Sequence, residues 1–134
     1  MGEFSRNMNR LAGELERGMD RVYRRAFLSV DTAVVLATPV DTGRARGNWI
    51  PSIGRPISAS RPNTFGASVS LGEGRTVAAT LRSRNRAYIS NNLPYIQRLN
   101  EGWSRQAPTG FVQLAIHGGL GAIRGGTIIV SGGL

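Results

Sequence analysis

At 134 residues the chain is the size of one domain and long enough to bury a core without staples; it has no Cys, which excludes disulfides and thiolate metal sites. Its 17 basic residues, all Arg, outnumber 8 acids, for a net charge of +9. The excess sits in residues 47–134, where 9 Arg face only Glu73 and Glu101, while residues 1–46 hold 8 Arg and 6 acids. Such a field attracts nucleic acid or an acidic protein face without choosing between them. Exclusive use of Arg fits genomic base composition, and it also suits bidentate contacts at interfaces. Acids and arginines throughout the first 30 residues argue against a signal peptide or a membrane span and point to a cytoplasmic place of synthesis and use.

The first predicted element is one long helix over about residues 3–37. Phe4, Met8, Leu11, Leu15, Met19, Val22, Ala26, Val30, Ala33 and Leu36–Ala37 recur at steps of three and four, the period of one helical face. At 1.5 Å per residue the rod is about 50 Å long, too long for so small a domain to cover. Its stripe is therefore read as core in part and shared interface in part. Most of the acids on this helix are expected to face solvent. Pro39 ends it.

Asp41 or Thr42 is placed to cap a short helical turn beginning near Gly43. Trp49–Ile53 reads as a strand, with Pro51 favouring an edge. Residues 54–63, with Gly54, Pro56 and Pro62, form a loop. Residues 64–82 are ambiguous: Phe65, Ala67, Val69 and Leu71 alternate as in a strand, and a helix is expected over 73–82. Arg82, Arg84 and Arg86 then form a basic loop beside Tyr88. Ala87–Ser90 is a strand ending at Asn91-Asn92. Leu93–Asn100 is a short helix with Pro94 near its start and Gly102 after it. Pro108 and Thr109 open another short helix carrying Phe111, Leu114 and Ala115 on one face. It is expected to be cut at Gly118-Gly119, because seven of residues 118–134 are Gly. The fold class is thus α+β: a long N-terminal helix packed on a small, mostly antiparallel sheet, with short C-terminal helices. Residues 1–117 form the single domain and 118–134 a Gly-rich arm, fit to add a strand to a neighbour.

Catalytic chemistry is thin. His117 is the sole His and has no acid near it in sequence, so no nucleophilic triad or zinc ligand set is legible. Asp41 with Glu101 is the only carboxylate pair that looks able to meet across the fold. Gly119-Leu120-Gly121 lacks the third spaced glycine of a dinucleotide loop. Arg82, Arg84 and Arg86 suit phosphates, a stacked base or an acidic partner, but no known nucleic-acid module fits the chain. The expectation is a protein that is not an enzyme and uses no cofactor or metal, with a basic nucleic-acid-binding protein as the alternative to a structural role.

Two stretches carry a family resemblance. One is Thr38-Pro39-Val40-Asp41-Thr42-Gly43-Arg44-Ala45-Arg46-Gly47-Asn48-Trp49. The other is residues 89–112, with Asn91-Asn92-Leu93-Pro94-Tyr95, Leu99-Asn100-Glu101-Gly102-Trp103 and Pro108 before a last helix. In order and spacing they resemble the neck, or tail-completion, proteins of long-tailed bacteriophages, over roughly residues 25–116. Two departures stand out: Asn100 precedes Glu101 where that family often has the acid, and the last helix looks shortened. The resemblance implies a virion protein that forms a sixfold ring at the head–tail junction, assembled in the host cytoplasm. Its partners would be copies of itself, a head-closure or connector protein, and the tail terminator or tail tube, with DNA passing through the lumen and no membrane. It also implies roles for residues. Asp41, Thr42 and Gly43 would set the turn that folds the sheet back on the helix. Tyr95, Leu99, Trp103 and Phe111 would be core or interface anchors. Arg98 and Arg105 would meet acids of a neighbour's long helix, such as Glu14, Glu16 or Asp20.

Overall fold

The computed structural model describes residues 2–40, 44–62, 66–103 and 107–124. Helix α1 spans Glu3–Ala37, followed by α2 (Arg44–Gly47), strand β1 (Ile50–Ile53), α3 (Ala67–Thr80), β2 (Ala87–Ser90), α4 (Ile96–Arg98) leading into a wider turn over Leu99–Trp103, and α5 (Phe111–Arg124). The fold is α+β, as the pattern of elements implies, with a two-stranded sheet among the described residues. β1 and β2 pair antiparallel with Ile50 opposite Ser90 and Ile53 opposite Ala87. β1 has a single neighbour, so Pro51, which lacks an N–H, sits there without breaking a ladder on its other side.

The stripe on α1 is regular over its whole length. Phe4, Leu15, Ala26 and Ala37 are spaced by eleven residues, as are Met8, Met19 and Val30. Eleven residues make about three whole turns, so the apolar line stays on one side of a straight helix. Its C-terminal part is covered by α5 and α3. Val34, Val35, Trp49 and Ala115 form one buried cluster, with Val30, Ala33, Ala37, Leu71 and Val112 against it. Phe27, Ala78 and Leu81 form a second cluster, with Tyr23 and Val77 at its edge. Ala115 meets Val34 and Val35 while Gly119 lies on Ser29 and Val30, so α5 runs antiparallel to α1.

Two expectations need correction. The helix expected over 73–82 begins earlier, at Ala67, and the strand-like alternation of Ala67, Val69 and Leu71 lies within it. Ser70, Gly74 and Ala78, each four residues apart, are its buried face against α1 and α2; small side chains let the backbones approach closely. The last helix is not cut at Gly118-Gly119 but runs on to Arg124, across the expected boundary between domain and arm. A Cβ at Gly119 would stand 3.0 Å from Val30 Cα and 3.1 Å from the Ser29 carbonyl oxygen, and the Ser29 hydroxyl donates to the Gly119 carbonyl at 2.9 Å. Close packing on α1 outweighs the ~1 kcal/mol that each glycine costs a helix. The remainder of the Gly-rich arm lies outside the described residues.

The segment after α1 is knitted by polar groups. Thr38 Oγ1 donates to the Val34 carbonyl and accepts from Trp49 Nε1, both at 2.7 Å and buried. Arg46 donates to the carbonyls of Leu36 and Thr38 at 2.7 Å each, satisfying acceptors that a helix end otherwise leaves open. Asn48 bonds the Arg44 carbonyl and the Arg61 N–H. Arg61 donates to the Gly47 carbonyl and pairs with Glu73 of α3. Asn91 and Ser70 reach the carbonyls of Ala45 and Arg46. Asp41, Thr42 and Gly43 lie outside the described residues, so their capping role, and a meeting of Asp41 with Glu101, cannot be placed.

Candidate interaction surface

The basic loop packs on the chain's own first helix. Asp20 accepts from the Ser83 backbone N–H at 2.8 Å and from Arg82 at 3.4 Å. The Ser83 N–H, with Arg82 and Arg24 adding to it, holds the Asp20 carboxyl below the usual range against the opposing effect of burial. Arg24 Nε donates to the Leu81 carbonyl at 2.6 Å. Tyr23 donates to the Asn85 carbonyl and accepts from the Ala87 N–H. Arg84 approaches Glu16 at 3.9 Å, with both side chains exposed. The acidic partner of Arg82 and Arg84 is therefore internal. This corrects one expectation: Asp20 is buried and is not open to Arg98 or Arg105 of a neighbour. Arg86 and Arg98 are exposed, and Arg105 lies outside the described residues.

The anchors expected near position 100 separate. Phe111 is 1% exposed and is core, not interface. Tyr95 and Leu99 are half-buried. The Trp103 side chain lies outside what the structure describes. Asn100, read as a departure from the family pattern, fastens the turn to α5: its Oδ1 accepts from the Val112 N–H at 2.9 Å, its Nδ2 donates to Gln113, and its carbonyl accepts from the Gly110 N–H at 2.6 Å. An acceptor at the first turn of a helix satisfies one of its open donors. Gly102 sits at φ 101°, and a Cβ there would collide with the Thr109 hydroxyl, so glycine is required.

The largest uncovered feature is the N-terminal half of α1. Every residue from Gly2 to Met19 is exposed except the half-buried Gly13 and Gly18. Phe4 is 76% exposed, and Met8, Leu11, Leu15 and Met19 are 41–50% exposed. About 25 Å of helix thus projects beyond the loop that packs at Asp20. A continuous apolar line rimmed by charge marks a protein contact surface more often than a chance exposure.

One buried group was missed in the sequence. Asp31 of α1 is fully buried, and neither carboxylate oxygen has a hydrogen-bond partner within the described residues. It faces Gly74 of α3, where a Cβ would lie on its Oδ2. Burial raises its pKa to about 7. The signal was its position: Asp31 falls between Val30 and Ala33 of the apolar stripe, one turn after Phe27 and one before Val34 and Val35.

Among the described residues no three acids or histidines cluster to hold a metal ion, and no helix is long and apolar enough to cross a membrane. His117 is exposed on α5. Comparison with protein-family models, curated proteins and solved structures finds no match.

Proposed function

We propose that the protein is a structural subunit of the neck of a long-tailed bacteriophage, forming a sixfold ring that completes the tail and joins it to the DNA-filled head. The observation that carries this reading is the projecting half of α1, whose apolar line has no cover within the described residues. A helix of that length without tertiary contacts is marginal in water, since most helical stability in proteins comes from packing an apolar face. Such an element belongs to a chain that completes itself in an assembly. Ring subunits do this by repeating a head-to-tail contact until it closes. The neighbours proposed are copies of the chain, a head-closure or connector protein, and the tail terminator or tail tube, in the virion.

The two stretches that resemble the neck family support the same reading. Thr38, Arg46, Asn48 and Trp49 of the first tie the end of α1 to α2, β1 and α3. Asn100 and Gly102 of the second set the entry to α5. These residue types at this spacing do structural work in this chain. A nucleic-acid role through Arg82 and Arg84 is less well supported, because Asp20 and Glu16 already occupy them.

The test is a phage genome lacking this reading frame. DNA-filled heads and separate, unjoined tails are expected, restored to joined virions by the wild-type chain in trans. Infectious joined particles without the protein would overturn the reading.

A further inference from the structure

We propose that two copies of the free chain pair antiparallel through residues 3–21 of α1, each covering the other's uncovered apolar line. The inference rests on α1 alone and not on the neck reading.

The apolar line reads almost the same in both directions about a point between Leu11 and Ala12. An antiparallel copy sets Phe4 against Met19, Met8 against Leu15 and Leu11 against Ala12. That point lies near the middle of the exposed segment, which runs from Gly2 to Met19. The overlap ends on each side where the partner's packed body begins, so the two bodies lie at opposite ends and do not collide.

Charge decides the partner and the direction. Glu3, Arg10, Glu14 and Arg21 lie along one flank of the line, and all are exposed. In an antiparallel pair of identical helices this flank faces itself in reverse order. Glu3 then meets Arg21 of the second copy, and Arg10 meets Glu14, each twice by symmetry. Every acid faces a base. None of these four residues is used in the ion pairs described within the chain, which join Asp20, Glu16 and Glu73 to Arg82, Arg84 and Arg61; Arg10 makes only a local bond to Asn7. A parallel pair would instead set this flank against Ser5, Asn9, Ala12 and Glu16, which include no arginine. The sequence is thus self-complementary in one orientation. A two-fold contact closes at two copies and cannot propagate round a ring, so the pair is a state of the free chain that must open before the same line is used in a larger assembly.

The full chain is tested by sedimentation and by cross-linking. A particle of twice 14.4 kDa is expected at micromolar concentration, dissociating as salt rises. Glu14→Arg should weaken pairing about tenfold, because it opposes two arginines at two symmetric sites. Arg10→Glu with Glu14→Arg in one chain should restore it. The chain has no Cys, so introduced thiols are unique. A mixture of Met8→Cys and Leu15→Cys chains should oxidise to the mixed dimer. A monomer at all concentrations, cross-links only between like positions, or a larger oligomer indifferent to Glu14→Arg would each overturn the pairing. A monomer that gains mass only with another protein would do the same. Circular dichroism of each variant separates loss of pairing from loss of fold.

Discussion

The two halves of α1 carry the same apolar period and meet opposite fates. From Asp20 to Ala37 most of the line, including Val30, Ala33 and Ala37, is packed against the core, and Asp20, Tyr23 and Arg24 have specific partners while Asp31 is buried without one among the described residues. From Gly2 to Met19 the same line lies open. Periodicity therefore states that a face wants covering; it does not state which chain supplies the cover. Helix length against domain size is the better clue, because a core this small cannot reach along about 50 Å of helix.

That comparison is sharpest in its largest expected effect. Phe111→Ala, at the covered end, should cost about 3–5 kcal/mol of stability through the cavity it leaves, whereas Leu11→Ala should leave monomer stability within about 0.5 kcal/mol of wild type. Urea midpoints of the two variants, measured at monomer concentrations, decide it. Equal losses would mean that the projecting half is part of the folding core.

Asp31 gives the next effect, because it is an acid placed in the covered half. Its pKa is raised from 3.8 to about 7, so the folded state holds its proton more tightly than the unfolded one. The stability tied to that proton is fully present below pH 4, is lost as pH rises through about 7, and stays lost above. The cost of ionising it in the fold is on the order of a few kcal/mol. Asp31→Asn should remove this slope and raise the melting temperature at pH 8 by several degrees, while changing little at pH 4. An unchanged profile would show that Asp31 has a partner. Asp20 works in the opposite sense: its lowered pKa adds stability that fades as pH falls into the acid range, so the two windows are separable.

A glycine packed against the covered half and one within the open half should respond with opposite signs. Gly119→Ala presses a methyl on the backbone of Ser29 and Val30 and should cost about 1–3 kcal/mol. Gly13→Ala meets only the end of the Arg17 side chain and should stabilise the helix by up to about 1 kcal/mol. Thermal melts of the pair read both. The smallest expected change in stability is Leu11→Asp, near zero for the monomer, with loss of self-association as its readout.

Much of the element order was legible because local rules governed it. Pro39 after an unbroken period marked the end of α1, Pro51 and the Asn91-Asn92 turn framed two short strands, and Gly102 marked a turn that needs positive φ. The errors share one cause. Ala67–Leu71 alternates like a strand and Gly118-Gly119 reads as a break, yet both are helical because a neighbouring helix lies against their smallest residues. Phe111 fits core or interface by sequence because an aromatic suits either place, and only its neighbours put it inside. The Arg82–Arg86 loop looked free because its acids lie about sixty positions earlier, on α1.

The sequence by itself determined a long amphipathic helix, two short strands, a last helix after Pro108 and a strongly basic composition, since period, turn chemistry and composition are local properties. Tertiary structure alone decided where the cover stops on α1, which acids are buried and which arginines are already paired. Those outcomes depend on which distant segments arrive at the same place, and burial and charge pairing are set by that meeting.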